Sequence, residues 1–381
     1  MEEPVNITAI NQSLFNATNC TTKTPYFCPS GKAWRITVLS LLVLCSLVGN
    51  ILFTAVFFKS SELRSAVNYL VVNMAISDLV YPVFVLPWRM AEIYLNHTWI
   101  IGGTFGAFLC KFLPFLEQTS VNVSILSMVI IGVERFHSVI FALRPTLVTV
   151  KKCSRIIAAI WMFSVATCVH YFYAWKLEKR PLNDCLRCHF RWNTETDTTD
   201  VYIAQVIVYY ILLSALPWAL LTVLYSCIIF TLFRQKGNMN LDSKTRQQRE
   251  NENKRVTCMV LTVLIAFVTV WTPHYVNLAL FFFVPELSYN LSCSTIFVMN
   301  YLRYTYITIN PLVYFVFSER YRSGLKQLFY CLRLKISFSR KAKLLKITEV
   351  TSVPSVGAYE FEGRSSTTSK TEMEDHSMPQ R

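Results

Sequence analysis

Charge is scarce in this chain: Asp, Glu, Lys and Arg make up 16% of 381 residues, while apolar residues make up 53%. A soluble protein of this length keeps one face of each element wet, so its apolar residues recur at helix or strand period. Here whole stretches are apolar all round. The marks of an enzyme are missing as well: no nucleophile–base pair, metal-ligand cluster or phosphate-cradling loop emerges from the sequence. Internal repeats and matched broken helices, which a transporter or channel would carry, are also lacking, leaving that class as the weaker alternative. Met1–Gly31 is acidic at its start and rich in Asn and Thr, with no apolar centre. No cleavable signal peptide is expected there, and the first apolar run serves as its own insertion signal.

Seven apolar runs are present, at about 34–58, 68–91, 106–133, 154–175, 202–233, 256–284 and 295–317. Each has the roughly 20 residues needed to cross about 30 Å of hydrocarbon. The expected fold is an all-α membrane protein, a seven-transmembrane helix bundle, with 1–33 as an extracellular tail and 34–317 as the bundle. The seventh run is the least clear, because Asn300, Arg303, Thr305 and Asn310 interrupt it. Lys59 and Arg64, then Arg144, Lys151, Lys152 and Arg155, then the basic run between Arg234 and Arg255, flank one side of the spans. The positive-inside tendency makes that side cytoplasmic. The net charge of +14 then reads as topology and a basic surface against anionic lipid rather than as nucleic-acid binding.

An odd number of spans puts the N-terminus outside, in the cell membrane. Six N-x-S/T triplets fall on that side, headed by Asn6, Asn11, Asn16, Asn19, Asn96 and Asn290, and are candidate glycosylation sites. Cys20, Cys28, Cys110, Cys185, Cys188 and Cys293 lie there too, where thiols oxidise. A bridge from Cys110 to Cys185 or Cys188 would tie the second outer loop across the mouth of the bundle. Cys293 has Cys20 or Cys28 as candidate partners, and a local Cys20–Cys28 bridge is the alternative.

Polar and special residues punctuate the spans in order: Gly49-Asn50; Leu70, Asn73, Ala75, Asp78 and Leu79; Trp99; Cys110 through Glu134-Arg135-Phe136; Trp161; Pro217 and Tyr225; Phe267, Trp271 and Pro273; Asn310-Pro311-x-x-Tyr314. In this order and spacing, over about 34–332, the chain resembles the rhodopsin-like (class A) G-protein-coupled receptors, in particular neuropeptide receptors. The spacing has physical content of its own. Cys110 and Arg135 are 25 residues apart, about 38 Å along a helix, and so sit at opposite mouths of one span.

The resemblance assigns roles. Glu134, Arg135 and Leu143 would face the G protein, with Glu134 expected to hold the Arg135 guanidinium at the membrane boundary. Phe136 and Ala142 depart from residues common in the family. Phe267 and Trp271 would form the activation switch, with Pro217 and Ile125 packed on Phe267, Pro273 as the hinge, and Tyr225 and Tyr314 meeting in the active state. Asp78, Ser124 and Asn310 should meet in mid-membrane, where a lone carboxylate is costly. They would hold either a sodium ion or a hydrogen-bonded packing cluster, and Tyr306 crowds that cavity.

Glu117 lies five turns from Arg135 on one helix face, about 10 Å below Cys110. It is the expected counter-ion for a cationic group of a peptide ligand, unless Arg303 pairs with it instead. Glu92, Gln118, His274, Tyr275, Leu278, Asn300, Arg303 and Tyr304 complete the candidate ligand wall. An amine or other small-molecule ligand is the alternative. After the last span, 318–334 alternates basic and apolar residues, as a helix lying on membrane lipid would, with Cys331 as a candidate palmitoylation site. The tail 335–381 is Ser/Thr-rich and expected to be disordered. Its run Ser365, Ser366, Thr367, Thr368, Ser369 suits a receptor kinase and arrestin as partners.

Overall fold

The computed structural model describes residues 31–141, 144–180, 185–191, 216–236, 244–330 and 333. The residues up to Phe329 form one compact unit, and a second begins at Tyr330. All geometry below belongs to the first.

The apolar runs are helices. The first span is α1 (Lys32–Lys59) and the second is α2 (Ala66–Asp78) continued by α3 (Leu86–Tyr94). Then come α4 (Gly103–Ile140) and α5 (Val150–Cys168), extended by the short α6 (Tyr171–Ala174). The fifth span is described as α7 (Leu216–Lys236), and the sixth is α8 (Lys244–Phe283). After the short α9 (Pro285–Tyr289), the seventh consists of α10 (Cys293–Tyr301), a tight turn over Leu302–Thr305, and α11 (Tyr306–Phe317). A last helix, α12, occupies 319–330. Five of the described spans are long and apolar enough to cross a membrane as they stand. Residues 202–215 of the fifth apolar run lie outside the described residues, and the tight turn splits the seventh.

Two local features place side chains. Pro82, between α2 and α3, and Pro87, in the first turn of α3, have no N–H to give the helix ladder. The chain widens there, so that the Leu86 N–H donates to Tyr81 O, five residues back. Such a bulge shifts the face that every later residue presents. In the loop after α6, two runs of alternating residues pair as an antiparallel hairpin, β1 (Trp175–Lys179) with β2 (Leu186–Phe190), in the register Leu177↔Cys188. The sequence reading did not anticipate this hairpin.

The disulfide is Cys110–Cys188, which decides between the two sequence candidates and fastens β2 to the start of α4. Cys185 and Cys293 are disulfide-bonded as well. Close by, a Cβ on Gly106 would run into the Ile101 carbonyl, so α4 can start under its loop only with glycine at that position.

Polar side chains stitch the spans inside the bundle, as hydrogen bonds there have no water to compete with. Trp161 Nε1 donates to Asn73 Oδ1 (2.9 Å), and Asn73 Nδ2 donates to Ser127 Oγ (3.0 Å), joining the second, third and fourth spans. Asn50 Nδ2 reaches Ile307 O at 2.9 Å. Helix α12 packs on α1 through Tyr321, stacked on Phe53 with ring centroids 4.4 Å apart. Gly324 permits the approach, because a Cβ there would lie 2.6 Å from Val56 Cγ1.

Candidate functional site

At the end of the bundle that carries the disulfide, a cavity of about 280 Å³ opens between the first, second, sixth and seventh spans. Glu92, His274, Asn300, Arg303 and Tyr304 line it, as the sequence led one to expect. Arg35, Arg89, Ile93, His97, Ile296, Phe297 and Tyr301 line it too. Gln118, Tyr275 and Leu278 do not. Gln118 Nε2 turns along its own helix to Asn122 Oδ1 (3.2 Å), and Tyr275 packs against Trp218 at 5.1 Å. The cavity is thus displaced away from the third span and toward the seventh.

Glu117 lies behind the cavity floor, 5% exposed, and is not a free counter-ion. Its Oε1 accepts from Arg303 Nη2 (2.8 Å) and from the Tyr304 hydroxyl (2.9 Å), and its Oε2 accepts from Arg89 Nη2 (2.7 Å). The expectation that Glu117 awaits a ligand cation therefore gives way to the pairing alternative, and the pairing is double. Two more bonds spread the network. Arg89 Nη1 donates to Glu92 Oε2 (2.7 Å) and Arg89 Nε to Tyr304 Oη (3.1 Å). The Tyr304 hydroxyl also accepts from Arg303 Nη2 at 2.8 Å, so it joins both arginines to the carboxylate. A buried charge is tolerated when it is paired and fully hydrogen-bonded, and Glu117 meets both conditions.

Arg89 is the member that sequence reasoning missed. An arginine inside an apolar span is itself a signal that a partner waits in the bundle. Its face could not be read, because the widened turn at Tyr81–Val85 intervenes.

From this floor an aromatic chain descends. The Arg303 guanidinium lies 5.3 Å from the Trp271 ring centroid, within cation–π reach. Trp271 stacks on Phe267 at 5.4 Å, and Tyr306 meets both rings, at 6.0 and 5.5 Å. Tyr306 continues to Tyr81 (5.7 Å), which returns to Tyr304 (5.6 Å). Ile125 and Phe267 share the buried core. From the fifth span it is Trp218, beside Pro217, that meets the Phe267 ring, at 6.0 Å. Pro273 sits inside α8 near these rings.

Below the rings, Asp78, Ser124 and Asn310 do meet. Asp78 Oδ1 accepts from Ser124 Oγ (3.0 Å) and Oδ2 from Asn310 Nδ2 (2.8 Å). Ser124 Oγ is shared with Ser77 Oγ at 3.2 Å. Asn310 turns its amide nitrogen toward the carboxylate, whereas a hard cation wants oxygens. This arrangement is the hydrogen-bonded cluster of the two alternatives.

At the opposite end, Glu134 does not hold Arg135. Its Oε2 accepts from the Val148 N–H (2.9 Å) and its Oε1 from Ser138 Oγ (3.4 Å). Neighbouring residues on a helix point about 100° apart, so an adjacent acid and base do not face each other. Arg135 is without an ion pair among the described residues, and its Nε has no hydrogen-bond partner. Tyr225 and Tyr314 are its electrostatic neighbours along with Glu134. Nearby, Arg255 Nη2 at the start of the sixth span's apolar part donates to Glu319 Oε1 of α12 at 2.9 Å. That hydrogen bond holds the Glu319 carboxyl below its ordinary range. Leu143 lies outside the described residues, as do Cys331 and the four sequons before the first span. Asn290 is exposed, while Asn96 is half-buried with the Thr98 of its triplet buried.

The described spans thus form a helical bundle whose outer hairpin is fastened to α4 by the Cys110–Cys188 disulfide and whose interior carries an ionic floor. Residues 49–314 match the family model described as 7 transmembrane receptor (rhodopsin family), and the chain belongs to that family. It is similar to galanin receptor type 1 of Rattus norvegicus, with 26% identity over 302 residues, 78% of this chain and 82% of the relative. Neuropeptide receptor 22 of Caenorhabditis elegans is 26% identical over 309 residues, covering 78% and 69% of the two chains. Growth hormone secretagogue receptor type 1 of Mus musculus is 28% identical over 296 residues, covering 74% and 76%.

Proposed function

We propose that this multi-pass membrane protein is a cell-surface receptor that binds a secreted peptide at its disulfide end and activates a heterotrimeric G protein at its Arg135 end. The observation that carries the proposal is the ionic floor of the cavity. Glu117, Arg89, Arg303 and Tyr304 come from three spans, and Arg303 also touches the Trp271 ring. A ligand that rearranges the floor therefore acts directly on the rings beside the Pro273 hinge, and the hinge turns that change into an outward swing of the sixth span's far end. The printed names of the relatives, galanin receptor and neuropeptide receptor, support a peptide as the ligand class.

In this reading residues 1–33 form a glycosylated extracellular tail, 34–317 the receptor, 318–334 a helix on cytoplasmic lipid that Cys331 palmitoylation anchors, and 335–381 a tail for receptor kinase and arrestin. Arg135, unpaired to Glu134 and flanked by Tyr225 and Tyr314, is the group that meets the G protein. The test is a library of secretory peptides applied to cells expressing the full chain with a promiscuous G-protein reporter. Responses confined to peptides support the reading. Silence across peptides with a response to monoamines contradicts it.

A further inference from the structure

We propose that Trp88 is the positioning residue of the ionic floor: its indole face holds the Arg89 guanidinium on Glu117, and the outer hairpin braces the indole through Trp175. What the floor does is taken from the receptor reading, whereas the placement of Arg89 does not depend on it.

Arg89 is fixed at its edge by hydrogen bonds. Each guanidinium nitrogen donates, Nη1 to Glu92, Nη2 to Glu117 and Nε to Tyr304. These acceptors stand on the second, third and seventh spans. Guanidinium donors lie in the plane of the group, so such bonds leave its faces to other partners. Trp88 covers one face: the guanidinium carbon is 3.9 Å from the indole centroid, inside the about 6 Å reach of a cation–π contact. Neighbouring residues on a helix point about 100° apart. The Arg89 side chain therefore has to fold back across the ring before it.

The choice of tryptophan is informative. Trp88 is 7% exposed, and its buried Nε1–H has no hydrogen-bond partner among the described residues. An unmade buried donor is destabilising, and a phenylalanine would fill apolar space without it. What the indole adds is the aromatic face that binds a cation best. Trp88 is not among the residues that line the cavity, so it acts on the floor through Arg89.

The brace comes from outside the span. Trp175, the first residue of β1, meets Trp88 edge to face at 6.4 Å and 79°. Trp175 also pairs with Phe190 in the hairpin register, their rings 6.1 Å apart. Strand β2 is fastened in turn by Cys110–Cys188 and by the Trp99 N–H, which donates to Leu186 O at 2.9 Å. The floor thus lies between two tryptophans, Trp88 against the hairpin and Trp271 beside the hinge. A partner that shifts the hairpin reaches Arg89 without entering the cavity.

The test places tryptophans with one to four ring fluorines at position 88 of the full-length receptor by nonsense suppression, and reads thermal unfolding in detergent. Fluorine drains negative charge from the ring face and leaves its shape nearly unchanged, so packing alone gives no trend. The unfolding temperature should fall stepwise with fluorine number, by about 2–4 °C over the series. The slope should be shallower in Trp175→Leu, where the indole has lost its brace. Trp88→Phe should recover part of what Trp88→Leu loses. At Trp175, whose ring contacts among the described residues are with Trp88 and Phe190, the same series should show no such fall. A flat series at position 88, or an equal fall at position 175, overturns the positioning role. An unchanged slope in Trp175→Leu overturns the brace. Unfolding is read without ligand, so a failure here is separate from silence in the peptide screen, which would remove the peptide and leave Trp88 in its role.

Discussion

The two ends of the bundle hold their charges in opposite ways. At the disulfide end, Glu117 is buried and fully bonded by Arg89 of the second span and by Arg303 and Tyr304 of the seventh. At the other end, Arg135 is without an ion pair among the described residues, and the bond from the sixth span to α12 joins Arg255 to an exposed Glu319. Breaking a buried network leaves uncompensated charge, whereas breaking an exposed pair returns both groups to water. The larger cost of disruption is therefore expected at the disulfide end, where the charges are buried.

Substitutions should grade accordingly. Glu117→Leu leaves Arg89 and Arg303 facing each other without an acid between them. It should cost about 3–5 kcal/mol, seen as a large drop in thermal unfolding temperature in detergent and in surface expression. An unchanged unfolding temperature would deny the disulfide end its role. Tyr304→Phe keeps the ring but deletes the hydroxyl that three side chains share, for an expected loss of about 1–3 kcal/mol by the same measurement. Gly324→Ala forces a methyl toward Val56 and should cost about 1–3 kcal/mol through overpacking, with α12 loosening on α1 as read by hydrogen exchange. Glu319→Gln should leave the unfolding temperature unchanged. Its carboxyl is held below the ordinary range by Arg255, so the pair is fully charged near neutrality and weakens only as acid is added below that range. The pair's contribution should therefore be the same at about pH 6 and pH 8, seen as an equal difference in unfolding temperature between Glu319→Gln and the native receptor at the two values. A stability loss in Glu319→Gln as large as that in Glu117→Leu would erase the comparison.

The sequence carried much of this because a membrane interior makes polar residues conspicuous. Asp78, Ser124 and Asn310 were bound to meet, since an isolated carboxylate could not stay there. Helix rise alone put Cys110 and Arg135 at opposite mouths of α4. What stayed hidden depended on local backbone geometry. The widened turn at Tyr81–Val85 sets which way Arg89 faces, and no fixed helical period anticipates it. Adjacency made Glu134 look like the partner of Arg135, while helix geometry sends it to Val148. The choice of Cys188 over Cys185 follows from a hairpin register that only the fold reveals.

The most direct test of the account is peptide-evoked G-protein activation, with the native receptor and Arg303→Gln compared at matched surface expression. The account predicts a response in the native receptor and at least about a tenfold loss of potency in the variant. Full potency in Arg303→Gln would contradict it.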